Sequence, residues 1–352
     1  MAALIWHILP LIPEWAVMLY TNRSGSLNFR APARARLIDI RGDRLNAWER
    51  IRLPVAAFTD RLDLLHCPSQ TTPPMSPCPI VLTVHDLIPI RIGDGLPPRE
   101  VRRFYRALAG SVGRARRIIA VSDFTRRDLL SVFPDAEDKV DVVRWGVQSP
   151  ASQGSSDALW DALRLTHGIR SPFFVSFGGA APRKNVPRIL EALAQFTRDV
   201  TADVQLVLVG VPSQARARFS DLANELGMSK HVVVLGYLPD ETVSEVLVHS
   251  EALVYPSLYE GFGLPILEAM ALGAPVITSN VTSMPEIAGG AAILVDPLDT
   301  GAIAGAMREC YLNDSVKADL RTRGLLRTEA FSWEHAAQET LATYRRALGL
   351  AG

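Results

Sequence analysis

The sequence has little cysteine, three residues among 352, and their spacing is not that of a metal site. The three are Cys67, Cys78 and Cys310. Zinc sites and disulfide scaffolds use more cysteines or closer pairs, and an odd, sparse set is typical of a reducing compartment. We therefore expect no cysteine metal centre and a cytoplasmic protein, which excludes the disulfide-rich secreted classes.

The chain also lacks internal repeats, low-complexity tracts and a convincing membrane span. Its most apolar stretch, residues 2–20, is interrupted by Pro10, Pro13 and Glu14, and it has neither a basic start nor a small-residue cleavage site. We expect a core helix and then a strand there. Apolar residues make up 48% of the chain and charged residues 21%, which is ordinary for a globular protein and excludes disordered and fibrous classes.

An overall excess of charge is absent, since 37 basic side chains balance 37 acidic ones. The charge is nevertheless uneven, because residues 1–150 carry 21 Lys and Arg against 15 Asp and Glu, a net charge of +6. We favour a solvated helix face as the explanation; the alternative is a surface for an anionic acceptor or for peripheral contact with anionic lipid at the inner membrane face. No nucleic-acid partner is expected. Much of the excess lies in Arg99, Arg102, Arg103, Arg106, Arg114, Arg116 and Arg117.

Apolar strand patterns alternate with helical patterns almost throughout the chain. Many strands are continuous Val, Ile and Leu runs, typical of parallel strands covered on both faces, so the pattern predicts a doubly wound α/β fold. At this length two domains are expected, and the polar stretch 148–156 is the best linker. We place the domains at 1–150 and 151–331, with a last helix at 332–348 that packs back on the first. The predicted strands cover residues 16–21, 37–40, 64–66, 80–84, 117–121, 140–144, 173–177, 204–209, 232–235, 252–255, 276–278 and 292–295.

The most informative pattern is at residues 260–268, where Glu260 and Glu268 enclose a Gly-x-Gly turn and a proline that can open a helix. A buried strand comes before it, so the unit is strand, glycine loop and helix. Glycines let backbone amides approach an anion closely, and a helix N-terminus favours negative charge. Carboxylates do not bind phosphate, so their partners are hydroxyls. The combination predicts a sugar-nucleotide site.

A second glycine loop follows the predicted strand at 173–177. Gly178 and Gly179 are followed by Arg183 and Lys184, just before a helical pattern. Arg offers a planar fork and Lys a point charge, and both suit a diphosphate. A basic helix cap on the surface is the alternative, and the presence of the Glu260 loop in the same domain favours the diphosphate.

Two polar positions lie at the ends of strands in the first domain. His85, followed by Asp86, can donate to a sugar hydroxyl or accept a proton. A structural Asp–His pair or a helix cap explains the same residues. Ser122 also ends a strand, and a helix N-cap is a sufficient role for it; we expect Ser332 to cap the last helix in the same way.

These residues together resemble the retaining glycosyltransferases of family 4, which have the GT-B fold, and within them bacterial mannosyltransferase-like enzymes. The resemblance covers most of the chain from about residue 64, and the E-x7-E pattern is its most specific part. It implies two Rossmann-like domains that face each other across a cleft, the first on the acceptor side and the second binding the donor. The other markers are Pro182-Arg183-Lys184-Asn185, Val84-His85-Asp86-Leu87, Ala120-Val121-Ser122 and Phe331-Ser332-Trp333-Glu334.

The resemblance also implies a role for each site residue. Glu260 would contact hydroxyls of the donor sugar, with His85 approaching that sugar from the first domain. Lys184 and Arg183 would neutralise the diphosphate leaving group, and Glu268 would accept from the ribose hydroxyls. The remaining donor-binding positions would be Gly178, Gly179, Gly236, Tyr237, Gly261, Phe262, Gly263 and Leu264, of which Gly236 and Tyr237 border the base.

The implied reaction is transfer of a hexose with retention at the anomeric carbon, through front-face attack rather than a protein nucleophile. The family needs no metal or other cofactor, and no Asp-x-Asp signature stands in a suitable loop of this sequence. Mannose from GDP-mannose is the first expectation, while UDP- and dTDP-sugars fit the same residues. The acceptor is open between a glycan, a lipid-linked intermediate and a small molecule.

This chain departs from the family pattern at two places. The family carries an Arg directly after the first glycine of the second loop, where this chain has Gly179, and we expect Arg183 to take its place. The family also begins with a strand and a glycine loop, whereas residues 1–5 resemble the helix after that loop. We expect the first domain to lack that strand and loop.

The second departure motivates an alternative hypothesis, a truncated relative that binds a sugar nucleotide without catalysing transfer. Other enzyme classes fit less well. No pyridoxal-binding lysine context points to a phosphorylase, and the carboxylate spacing is not that of an epimerase. No strand is followed by the G-x-G-x-x-G of a dinucleotide-dependent oxidoreductase.

Overall fold

The computed structural model describes residues 2–22, 33–42, 44–148 and 157–350, so the predicted linker lies almost wholly outside the described residues. The chain divides into two compact units. Met1–Gly146 and Phe331–Gly352 form the first, and Val147–Ala330 forms the second.

The strands and helices of both units follow in chain order. The strands are β1 (Val17–Thr21), β2 (Ala35–Asp39), β3 (Leu65–Cys67), β4 (Ile80–Val84), β5 (Arg117–Ala120), β6 (Val140–Val142), β7 (Phe173–Phe177), β8 (Gln205–Val209), β9 (Val232–Val234), β10 (Leu253–Tyr255), β11 (Val276–Ser279) and β12 (Ile293–Val295). The helices are α1 (Ala2–Ile8), α2 (Leu53–Thr59), α3 (Ile88–Arg91), α4 (Pro98–Arg114), α5 (Asp123–Val132), α6 (Asp157–His167), α7 (Val186–Val200), α8 (Ser213–Glu225), α9 (Asp240–Val248), α10 (Leu264–Ala271), α11 (Met284–Ala288), α12 (Thr300–Leu312), α13 (Asp314–Thr328) and α14 (Trp333–Leu348).

Each unit is built on parallel strands. The first contains a pair, β1-β2, and a four-stranded sheet in the order β3-β4-β5-β6. The second contains a six-stranded sheet in the order β12-β11-β10-β7-β8-β9. Every residue of β4 and β8 is buried, which is why both strands are apolar apart from Thr83 and Gln205.

The predicted secondary structure is confirmed in its order. Each predicted strand is present, with ends that differ by two residues or fewer. The apolar opening stretch forms the helix α1 and then the strand β1, as expected. The side chains of Ser122 and Ser332 accept hydrogen bonds from the backbone amides three residues on, so both serines cap a helix as predicted.

The last helix, α14, belongs to the first unit although its sequence follows the second. Trp333, Ala336 and Ala337 are buried in one cluster with Leu4 of α1 and Val81 of β4. The helix is therefore part of the hydrophobic core of the first unit.

The arginine-rich segment is divided between two roles. Arg117 binds Asp141, with Nε 3.0 Å from Oδ2, and ties β5 to β6. Arg102, Arg103 and Arg106 are exposed on α4. The exposure of these three arginines fits both a solvated helix face and a surface for an anionic partner, whereas Arg117 supports the sheet. Among the described residues, no helix is both long and apolar enough to cross a membrane.

Candidate active site

The Glu260 loop connects β10 to α10, as the sequence predicts. Gly263 takes the position before the helix with a φ of 99°, a conformation that glycine adopts without strain. Pro265 lies in the first turn of α10, where its missing N–H has no intrahelical partner to lose. Glu260, 9% exposed, lies at the start of the loop, and Glu268 is exposed on the helix. The two carboxylates thus have different surroundings.

Three donors converge on one oxygen of Glu260. Its Oε1 lies 2.6 Å from Nη1 of Arg183, 2.8 Å from Nζ of Lys184 and 2.7 Å from the hydroxyl of Tyr255. The structure therefore brings together Glu260 and the basic pair predicted from a loop about 75 positions earlier. Two cations meet one carboxylate, so the cluster is left with net positive charge.

Tyr255 is a member of this cluster that the local sequence does not identify. The phenol is buried at the end of β10, and its hydroxyl accepts from Nζ of Lys184 at 2.6 Å. The same ammonium lies 4.7 Å from the ring centroid. Desolvation, and then the negative charge of Glu260, raises the pKa of Tyr255 well above its usual value. Tyr255 therefore stays protonated and donates to the carboxylate.

The loop that carries the basic pair is joined to the Glu260 loop through the backbone. The amide of Leu258 donates to the carbonyl of Arg183 at 2.8 Å. Asn185, buried and with a φ of 60°, donates from Nδ2 to the carbonyl of Pro256 at 3.0 Å. Asparagine tolerates this left-handed conformation better than most residues. The two loops therefore hold each other in register.

Two further residues fix the Glu260 loop from the other side. Ser283, fully buried, donates to the carbonyls of Glu260 and Phe262, each at 2.9 Å. The hydroxyl of Thr282 accepts from the amide of Glu260 at 3.3 Å. Neither residue is predicted from sequence, because nothing local links residues 282–283 to a loop some twenty positions earlier.

The glycine at 178 is required by packing. The Gly178 amide donates to the carbonyl of Val209 at 2.8 Å, and a Cβ at Gly178 would lie 2.6 Å from Cγ2 of Val211. At Gly179, a Cβ would lie 3.3 Å from Cγ of Lys184. The loop therefore passes close to β8 and to the basic pair, while its contact with phosphate stays a prediction.

The loop after β9 carries the predicted base-contacting residues. The carbonyl of Gly236 accepts from the amide of Gly210 at 3.0 Å, and Tyr237 is 83% exposed. Asp240 follows at the start of α9. Partial desolvation, and then the negative charge of Asp240, raises the pKa of Glu268. The helices α9 and α10, which carry Asp240 and Glu268, are in contact with each other.

His85 lies in the first unit. Its Nε2 is 2.6 Å from the carbonyl of Pro68, and because a carbonyl only accepts, Nε2 carries the proton. The ring meets Trp145 edge-on at 5.0 Å, and burial lowers the pKa of His85. Asp86 accepts from the amide of Ile88 at 3.0 Å in the turn before α3, whose N-cap position is Leu87. Neutral His85 presents Nδ1 as an acceptor.

Within the described part of the chain, no group of three His, Cys, Asp or Glu side chains is placed to hold a metal ion. The titratable groups of the site in the second unit are Glu268 and the members of the Glu260 cluster, which are Arg183, Lys184, Tyr255 and Glu260. Their arrangement at the carboxyl ends of parallel strands fits an anionic ligand that also carries hydroxyls.

Two family models match the chain. Residues 165–326 match the model for glycosyl transferases group 1, and residues 13–149 match the model for glycosyltransferase family 4. The first match contains both the Glu260 loop and the Arg183–Lys184 loop, and the second contains His85.

Similar proteins include two mannosyltransferases of Escherichia coli. The chain is 31% identical over 265 residues to O-antigen chain mannosyltransferase B, covering 75% of this chain and 70% of that protein. It is 27% identical over 282 residues to the serotype-specific mannosyltransferase WbdA, covering 77% of this chain. The chain spans 34% of the length of WbdA.

The fold is also that of a solved structure, HepE. HepE from Anabaena, crystallised in complex with UDP and glucose, superposes with a TM-score of 0.72 over 97% of this chain and 95% of HepE, at 17% identity. The parallel α/β topology of both units agrees with that likeness. The chain therefore belongs to glycosyltransferase family 4: it has the GT-B fold and is a retaining enzyme that transfers a sugar from a nucleotide-sugar donor to an acceptor.

Proposed function

We propose that the protein transfers mannose from GDP-mannose, with retention, to a glycan, lipid-linked or small-molecule acceptor in polysaccharide biosynthesis. The observation that carries the proposed site is the convergence of Arg183, Lys184 and Tyr255 on Oε1 of Glu260. The choice of mannose is supported by the two Escherichia coli relatives, both mannosyltransferases.

The donor is bound along the carboxyl ends of the strands in the second unit. Its diphosphate contacts Lys184 and Arg183, and Glu268 accepts from the ribose hydroxyls. The base borders Tyr237. Backbone amides support the sugar and phosphates at Gly178, Gly179, Gly261, Phe262, Gly263 and Leu264, and Gly236 lies at the base.

Binding exchanges the partners of the basic pair. In the structure, Lys184 and Arg183 neutralise Glu260 at 2.8 and 2.6 Å. A diphosphate offers more negative charge than one carboxylate, so it attracts both cations toward itself. The carboxylate of Glu260 is then available to hydroxyls of the donor sugar, while Tyr255 keeps its Oε1 in place.

In the reaction, the bond between the anomeric carbon and the phosphate oxygen breaks, and its electron pair goes to the nucleoside diphosphate. The acceptor oxygen attacks from the same face, and its proton leaves with the released diphosphate. Negative charge therefore grows on the phosphate as the reaction proceeds. Lys184 and Arg183 contact that charge more strongly in the transition state than in the bound donor, which lowers the barrier.

We assign the binding of the acceptor to the first unit. Since Pro68 fixes the proton of His85 on Nε2, we assign Nδ1 as the acceptor of a hydrogen bond from a sugar hydroxyl. Arg102, Arg103 and Arg106 on α4 offer the peripheral contact to anionic lipid.

The test measures mannose transfer from GDP-mannose, with UDP- and dTDP-sugars as competitors, in Glu260→Ala and Lys184→Ala. We expect each variant to lose about 10²- to 10³-fold in kcat with its fold retained, because each removes a charge that the transition state needs. Glu225→Ala and Lys230→Ala remove exposed charges of the same kind and serve as controls.

Normal turnover by both site variants would refute the site assignment. Nucleotide binding by the wild-type protein, with neither transfer nor donor hydrolysis across a broad acceptor panel, would instead support the non-catalytic alternative. A preference for UDP- or dTDP-sugars would keep the reaction and replace the donor.

A further inference from the structure

Arg216, on the first turns of α8, lies against the loop after β9. Its Nε donates to the carbonyl of Val211 at 3.3 Å, in the loop after β8. A Cβ at Gly236 would overlap Nη2 of Arg216. The guanidinium therefore occupies the space that a side chain at position 236 would take, and only glycine leaves room for it there.

The two loops that Arg216 bridges are joined to each other. The amide of Val211 donates to the carbonyl of Leu235 at 2.9 Å, beside the bond from Gly210 to Gly236. The loop after β9 then runs to Asp240, whose charge acts on Glu268. In the proposed donor complex Glu268 holds the ribose, so Arg216 lies at the loop that the base borders.

Arg216 keeps two terminal nitrogens for a ligand. Within residues 2–22, 33–42, 44–148 and 157–350, Nε bonds a protein acceptor, whereas Nη1 and Nη2 do not, and no carboxylate pairs with the side chain. The residue is exposed, with Tyr237 close by in sequence to Gly236 and 83% exposed. A surface arginine that only contacts solvent would account for the charge at position 216. It would not account for the position of the guanidinium against Gly236, in the loop after β9.

The hydrogen-bond donors of the Arg216 guanidinium can distinguish between nucleotide bases. Guanine presents O6 and N7 as two adjacent acceptors, which match the parallel N–H groups of a guanidinium. Uracil and thymine present O4 with no second acceptor adjacent to it, and adenine places an amino donor beside N7. We propose that Arg216 reads the base of the donor and selects guanine, an inference that rests on the proposed function because it requires a nucleotide sugar at this loop.

The test is calorimetric binding of GDP and of UDP to the full-length protein and to Arg216→Ala. We expect the wild-type protein to bind GDP more tightly, and the variant to lose about tenfold to a hundredfold in affinity for GDP with little change for UDP. Gly236→Ala displaces the guanidinium without removing it, and we expect the same loss of selectivity. Arg218→Ala removes an equal charge two residues along α8 and should leave the ratio of the two affinities unchanged.

Equal weakening of GDP and UDP in Arg216→Ala would overturn the inference, because it would show an attraction to the phosphates only. An unchanged ratio in that variant, with GDP still preferred, would also overturn it and leave the proposed donor intact. Tighter binding of UDP by the wild-type protein would refute both the proposed donor and the role of Arg216. A thermal unfolding curve of each variant checks that the fold is retained.

Discussion

At the scale of single residues, the charge of Glu260 is satisfied by groups of the protein itself. Arg183 and Lys184 both donate to Oε1 of its carboxylate, and the buried phenol of Tyr255 donates to the same oxygen. Because a buried carboxylate is costly without such partners, the cluster explains how Glu260 stays in place. In the proposed site Tyr255 positions Glu260, because its buried hydroxyl contacts the carboxylate.

We predict that Tyr255→Phe lowers kcat by about tenfold to a hundredfold, since a hydrogen bond to a charged group contributes about 1.5–3 kcal/mol. The cations remain, so the KM for the donor should change much less than kcat. Steady-state kinetics with GDP-mannose measure both. Tyr311→Phe, a partly buried tyrosine in the core of the same unit, is the control. A rise in KM with kcat unchanged would show that Tyr255 acts on binding and not on positioning.

At the scale of elements, much of the site follows from local sequence. The strand, glycine loop and helix at 253–271 can be predicted from sequence, because the glycines, the proline and the apolar run determine the backbone conformation of nearby residues. The caps by Ser122 and Ser332 are local in the same way. The role of Ser283 cannot be predicted from local sequence. Its hydrogen bonds join two segments whose distance in space depends on how the strands are ordered in the sheet.

The junction between the end of the first unit's sheet and the start of α14 depends on one glycine. A Cβ at Gly146 would overlap the backbone nitrogen of Trp333, and backbone cannot rotate away as a side chain can. We predict that Gly146→Ala destabilises the first unit by about 1–3 kcal/mol, the usual cost of overpacking. Thermal unfolding followed by near-ultraviolet circular dichroism reports on the stacked Trp145 and Trp333.

The matched control for that prediction is Gly113→Ala in α4, where a Cβ would meet nothing within 4 Å. Alanine favours a helix over glycine by about 0.8–1.0 kcal/mol, so this variant should unfold at the same or a higher temperature. A Gly146→Ala protein as stable as Gly113→Ala would contradict the expected clash.

At the scale of the whole molecule, the chain returns to its first unit after completing its second. Polar contacts, as well as the hydrophobic core, hold the last helix, α14, on the first unit. His66 of β3 lies 2.6 Å from the hydroxyl of Tyr344 on α14 and 2.8 Å from the hydroxyl of Thr83 on β4. Burial is the main cause that lowers the pKa of His66, to about 4. The imidazole is therefore neutral in the folded protein at ordinary pH.

We predict that this histidine makes the first unit less stable in acid. Between pH 6.5 and about 4 the unfolded chain takes up a proton that folded His66 does not, so the stability is fully present above pH 6.5 and falls as the pH falls. From pH 7.5 to pH 5 the loss should be about 2 kcal/mol. Urea unfolding at the two pH values measures it.

His66→Gln cannot take up the proton, so its unfolding midpoint should depend less on pH than that of the wild-type protein. His335→Gln, on the exposed side of α14, should behave like the wild-type protein. If both variants showed the wild-type dependence, the acid sensitivity would have to come from other groups.

The sequence by itself determined the order of strands and helices, the caps and the two glycine loops with their charged residues. Each of these depends on residues within a few positions of one another, whose periodicity and backbone preferences act locally. The tertiary structure decided that Tyr255 completes the Glu260 cluster, that Arg216 lies over Gly236 and that His66 meets Tyr344, 278 residues away. Such contacts depend on which strands lie side by side and on which side chains then fill the space between them, and spacing along the chain carries no measure of either.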